Sequence, residues 1–187
     1  MATTKPDRLH YTGVDEADSL LAHDPFALLI GFALDQQVPV QTAFSGPWKL
    51  RQRLGTLDPG AIAATDPARL EEVFREKPAI HRFPGAMAGR VQELASVVSD
   101  QYGGDAERVW AEAADGAELR KRISALPGFG EMKIKALGAV LWKRFGVPTA
   151  AQLDPGHPTL GDVDSAEALE EYQAKKRAYK ASLRAQR

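Results

Sequence analysis

The 187-residue chain contains no cysteine. That excludes a disulfide framework, a cysteine-ligated zinc site, an iron–sulfur cluster and thiol chemistry. No run of about 18 apolar residues is present, so no membrane-spanning helix is expected. The stretch Met1 to Lys5 lacks the apolar core of a signal peptide, and a cytoplasmic protein is the expectation. Sustained two-residue alternation of apolar and polar residues is also missing, which argues against half-buried strands. Histidine is scarce. His10, His23 and His157 are scattered without metal-ligand spacing, and no metal site is expected. Net charge is nearly absent too, at −1, so bulk charge neither requires nor excludes a polyanionic partner.

The distribution of charge is more informative than its sum. Residues 117–147 hold seven cations (Arg120, Lys121, Arg122, Lys133, Lys135, Lys143, Arg144) against Glu118 and Glu131. Residues 173–187 hold six cations and no acid. Two basic segments on a near-neutral protein fit either a polyanion-binding face or two solvated helix faces.

Three Asp-Pro pairs, Asp24-Pro25, Asp58-Pro59 and Asp66-Pro67, each precede a helix-like pattern. Aspartate caps the free N–H groups of a first turn, and proline fits the first helical position. Phe26 to Leu34 is apolar on every side and predicts a helix buried within a bundle, ending before Pro39. Met87, Val91, Leu94 and Val98 lie on one helical face, as do Ile134, Leu137, Leu141 and Phe145. A third stripe is Leu169, Tyr172, Lys176, Tyr179 and Leu183. Residues 147–164 are rich in Pro, Gly and Asp and read as a long loop. The expected class is all-α.

The sharpest local signal is Leu126-Pro127-Gly128-Phe129-Gly130, between a short amphipathic segment and a second helix starting near Glu131. The two glycines permit positive φ and close approach of another backbone. The start of the second helix points N–H groups outward and forms an anion site, to which Lys133 and Lys135 add charge. A DNA phosphate suits such a site, and a contact of that kind positions DNA without reading its sequence. An ordinary glycine-capped corner is the plain alternative.

These residues resemble the hairpin of the helix-hairpin-helix DNA glycosylase superfamily. Two upstream segments are similar to the same family in order and spacing. Leu29 to Gln37 resembles its buried helix ending in a Ser-Gln-Gln-like turn, and Arg82 to Leu94 resembles the helix before the hairpin. The likeness covers residues 25–146 and is greatest to small cysteine-free bacterial members.

The resemblance implies a single domain over residues 1–187: a two-lobed helical bundle with a helix-hairpin-helix motif and a DNA groove between the lobes. The larger lobe would span about 26–146, and the smaller would join 1–25 to 147–187. It implies that a damaged nucleotide is flipped from the duplex and its N-glycosidic bond cut. Gln37 falls where the gap-filling side chain sits, and its amide offers both a donor and an acceptor. The position of the strand-nicking lysine is held by Met132, which implies a monofunctional enzyme using water. Lys133 is rotated about 100° from it and is expected to face phosphate or solvent. The catalytic carboxylate would be Asp164, in Val163-Asp164-Ser165, with Asp154 and Asp162 as alternatives. For Asp164 an N-capping role is the plain reading. Gly128, Gly130, Lys133 and Lys135 would hold the DNA backbone, and Phe32, Trp48 and Trp142 would line the base pocket. His81 could read a base edge or a phosphate, against capping or surface solvation.

No cofactor is required, though the resemblance allows a sodium or potassium ion at the hairpin. The expected partner is duplex DNA with a damaged base, bound by a monomer acting at the nucleoid. Two rivals remain: a non-catalytic helix-hairpin-helix DNA-binding protein, and a helical adaptor whose basic tail meets an acidic partner.

Overall fold

The computed structural model describes residues 5–187, and all of its regular structure is helical. Ten α-helices follow in order: α1 Asp15–His23, α2 Pro25–Leu34, α3 Val40–Leu54, α4 Pro59–Ala64, α5 Pro67–Arg75, α6 Pro84–Tyr102, α7 Arg108–Ala111, α8 Gly116–Ser124, α9 Glu131–Lys143 and α10 Ala166–Ala185. The first four residues of the expected smaller lobe lie outside the described residues.

The three Asp-Pro starts are helix starts. Asp24 accepts from the N–H groups of Phe26 and Ala27 at 2.9 and 3.2 Å, Asp58 from Ala61 at 2.8 Å, and Asp66 from Ala68 at 3.1 Å. Each satisfies N–H groups that the first helical turn leaves orphaned. The apolar helix α2 lies at the centre, with every residue from Phe26 to Leu34 buried. It packs on α1, α3 and α6, while α4 and α5 close over the other face of α6. Phe44 of α3 stands edge-on to Phe32 and to Tyr11, with ring centroids 5.1 and 5.0 Å apart. Edge-to-face pairs of this kind add to the area they bury.

The stretch expected to be a long loop is packed structure. Residues Pro148–Leu153 and Leu160–Asp162 form 3₁₀ turns that lie on α9. Ala150, Leu153, Leu160 and Val163 are buried. The physical reason is room at two glycines. A Cβ on Gly138 would run into the side chain of Leu153, and one on Gly161 would sit 2.6 Å from the Ala139 carbonyl oxygen. Residues 148–162 therefore pack with α8 and α9. Tyr11 ties the N-terminal segment to the same region by donating to the Leu160 carbonyl at 2.8 Å.

Among the described residues no single helix is long and apolar enough to cross a membrane. Only α1 and α2 together pass that test, and they are bent by 113°.

Candidate nucleic-acid interface

Helix α8, a turn over residues 125–130 and helix α9 bring the Leu126–Gly130 segment to the surface near the end of α2. Only one of its glycines uses the freedom expected of both. Gly128 has φ +81°, and a Cβ there would fall 2.8 Å from Cδ of Arg90. Gly130 is extended at φ −83°, ψ −177°, with open space where its Cβ would be. It precedes α9, which starts without a side-chain cap. The first N–H groups of α9 thus face outward beside the open glycine, where the helix dipole favours an anion. Helices α3 and α6 also start uncapped, as does α1, whereas α2, α4, α5, α8 and α10 are capped by Asp24, Asp58, Asp66, Asp115 and Ser165.

Three segments far apart in sequence meet here. Arg90 of α6 lays its stem against Gly128 and donates to Gln36 Oε1 at 2.7 Å. Lys133 of α9 donates to the Ala33 carbonyl, at the end of α2, at 3.1 Å. His81 is 1% exposed. Its Nε2 donates to the Leu34 carbonyl and its Nδ1 accepts from Phe83 N–H, both at 3.0 Å. Burial holds its pKa below the ordinary histidine value. His81 is therefore a buried cap between α2 and α6, and the alternative of a solvated or base-reading histidine is corrected by the use of both ring nitrogens.

Lys133 differs from its expected course. Met132 points to solvent, 83% exposed, while Lys133, one residue on, turns inward. Lys133 lies one turn before buried Leu137 and shares the core-facing side of α9. Its charge is felt by Asp35, which neither the motif nor the spacing singled out. Burial and Arg90 push the Lys133 pKa down, against the pull of Asp35. Burial pushes the Asp35 pKa up, against Lys176, Lys133 and Lys180. For both groups desolvation outweighs their mutual attraction. Tyr172 of α10 completes this corner, its pKa raised by burial and then by Asp35.

Gln37 is exposed in the same turn and is the single non-glycine described residue with positive φ, +59°. Such backbone is uncommon for a non-glycine residue and is enriched at functional turns. The basic segment 117–147 is largely neutralised within the fold. Arg120 and Lys135 pair with Glu131, Arg122 pairs with Glu118, and Lys143 pairs with Asp154 and Asp162. Lys135 is thus partly engaged at 3.6 Å.

The three candidate carboxylates fall into two groups. Asp154 and Asp162 lie 3.3 and 2.7 Å from Lys143 Nζ. Asp162 also closes a capping box with Thr159, and these bonds hold its carboxyl below the usual range. Asp164 is exposed and accepts no hydrogen bond among the described residues; Ser165 is the one that caps α10. The N-capping alternative for Asp164 therefore falls to Ser165.

The three base-pocket residues differ in exposure. Phe32 is 1% exposed inside the core, Trp48 is partly buried against it, and Trp142 is 40% exposed. Phe32 is covered because the α2–α3 contact closes over it. A cavity of about 440 Å³ opens elsewhere, between α1, α2, α7 and the end of α9, lined among others by Leu28, Trp110, Phe145 and Thr149. Among the described residues no group of three or more His, Asp or Glu side chains is placed to hold a metal ion.

No protein-family model matches this chain, and no curated protein or solved structure matches it at a significant level.

Proposed function

We propose that this protein is a monofunctional DNA glycosylase of base-excision repair, hydrolysing the N-glycosidic bond of a damaged base flipped from duplex DNA. The observation that carries the reading is the convergence at one corner of the three segments that resemble the family. The 35–37 turn, Arg90 of α6 and the 125–130 turn are joined through the Arg90–Gln36 bond and the contact of Arg90 with Gly128. Three independent likenesses coming together in space are harder to explain as chance than any one of them.

In this reading DNA lies in a groove between the α1–α6 part and the α8–α9 part. The open N-terminus of α9 at Gly130 takes a backbone phosphate. Gln37, exposed and in left-handed backbone, enters the duplex and bonds the orphaned partner base. Asp164 stabilises the positive charge that develops on the sugar and orients water. It suits the role better than Asp154 or Asp162, whose charge Lys143 already offsets. The carbonyl oxygens of the 125–130 turn are hard donors of the kind a sodium or potassium ion takes. Leu126 O already accepts from Phe129 at 3.2 Å, and no step depends on such an ion.

The test is base release by the wild type and by Asp164→Asn. The proposal expects release to be lost with duplex affinity kept or increased.

A non-catalytic hairpin DNA-binding protein is the second reading. It is favoured by the Lys143 pairing of two of the three carboxylates and by the mismatched burial of Asp35 and Lys133. Affinity without release of any base would support it.

A further inference from the structure

Helix α10 outruns the body to which it is attached. Its first half is anchored. Leu169 is buried, Tyr172 is partly buried, and Gln173 exchanges two hydrogen bonds with Gln41 at 2.8 and 3.1 Å. From Ala174 to Arg187 every residue is exposed. At 1.5 Å per residue, that leaves about 18 Å of helix standing free.

The direction of its faces matters. Helical positions advance by about 100° each, so Lys176, Lys180 and Arg184 continue the side that carries Leu169, Tyr172 and Gln173, and Arg187 follows just past the helix end. That side faces the body in the first half of the helix. Beyond the body it runs on from the start of α3, just after the 35–37 turn, where Gln173 is bonded to Gln41. Lys176 and Lys180 act on the Asp35 carboxyl from there, pulling its pKa down against burial. Tyr179 and Leu183, 65% and 44% exposed, lie along the same stripe. Among the described residues, Lys175 is the one cation of residues 173–187 with a carboxylate partner, Glu171 at 3.0 Å. Arg120, Arg122, Lys135 and Lys143 of the hairpin segment are paired with carboxylates, so among the described residues more unpaired positive charge is left on the free half of α10 than around the 125–130 turn.

We propose that the free half of α10 is a clamp for duplex DNA. Its cationic side would close over the phosphate backbone of a duplex held at the 125–130 and 35–37 turns, with Tyr179 against the sugar edge. The inference rests on the reading that the cleft takes DNA. Charge complementarity and continuity with the cleft select this occupant. A second copy packed about a two-fold axis would set the same cations against each other, since a two-fold interface is self-complementary.

The experiment compares the full chain with the Lys176→Gln/Lys180→Gln/Arg184→Gln/Arg187→Gln variant, which keeps helix propensity, and with a chain ending at Gln173. Affinity for a labelled undamaged duplex is measured by anisotropy between about 50 and 200 mM salt. Each phosphate contact contributes about 0.9 to the slope of log affinity against log salt. The quadruple variant is therefore expected to flatten the slope by about 3.6 and to weaken binding at least tenfold, with unchanged thermal unfolding. An unchanged slope in both variants overturns the clamp while leaving the glycosylase reading intact, because Gly130→Asp would still weaken binding. No binding by the full chain at low salt overturns both. A dimer in sedimentation that only the full chain forms would assign α10 to a second copy and overturn the clamp.

Discussion

The two glycines of the 125–130 turn make a sharp comparison, because one sequence pattern places them in opposite physical situations. Gly128→Ala puts a Cβ into left-handed backbone at φ +81°, which costs about 1–2 kcal/mol for an L residue. The new methyl also lies 2.8 Å from Cδ and 3.0 Å from Nε of Arg90. That side chain must move and give up its exposed 2.7 Å bond to Gln36, worth about 0.5 kcal/mol at the low end of the usual range. The sum is about 2 kcal/mol, or a fall in Tm of about 4–8 °C for a chain of this size. Gly130→Ala meets no atom within 4 Å and keeps φ at −83°. Stiffening the unfolded chain there stabilises by about 0.4–1 kcal/mol, so its Tm is expected to hold or rise slightly. Its duplex affinity should still fall, because the methyl fills the space a phosphate would enter. Thermal unfolding followed by circular dichroism, with anisotropy on the same samples, measures both effects. Equal losses of Tm in the two variants, or a larger loss for Gly130→Ala, would refute the assignment of roles.

Three further outcomes are expected. Asp35→Asn raises Tm at neutral pH. The folded-state pKa of Asp35 is raised, so the native state binds a proton more tightly and stability falls as pH rises through the window above the ordinary carboxylate value of 3.8; a lower Tm for the variant at neutral pH would contradict this. His81 is the opposite case of a depressed base. Its contribution is complete above about 6.5 and is lost as pH falls through its lower native value, so a urea midpoint that does not drop over that window, or drops equally in His81→Gln, would count against the buried neutral cap. Gly138→Ala tests packing against propensity. Alanine favours the helix by about 1 kcal/mol, but the methyl collides with Leu153 and overpacking costs about 1–3 kcal/mol, so Tm should fall by a few degrees and a rise would show that the 148–153 turn yields.

The helical class and the main helix starts were legible because they depend on local chemistry. Aspartate before proline caps a helix wherever the chain later goes, and the stripe of Met87, Val91, Leu94 and Val98 is buried on α6 as its spacing requires. The packed segment 148–162 was not legible, because Pro, Gly and Asp mark loops and 3₁₀ turns alike. What fixes it is the absence of side chains at Gly138 and Gly161, which matters only once the partner surface is known. Lys133 carried a readable signal, four residues before the core residue Leu137, but its charge argued for solvent. Asp35 was hidden for a related reason. The lysines that act on it, Lys133, Lys176 and Lys180, belong to α9 and α10, far along the chain. The stripe of Leu169 to Leu183 reads as a core face, but only its first turns find a body to cover them.

The central claim is tested most directly by incubating the purified protein with a panel of duplexes, each carrying one damaged or mismatched base, and examining the strands before and after alkali. The account predicts breaks in at least one duplex after alkali and none before it, with Asp164→Asn inactive. Breaks before alkali would mean that an amine attacks the sugar, with Lys133 the first residue to replace, and would contradict the water-using mechanism. Intact strands throughout, with the duplexes still bound, would contradict catalysis altogether.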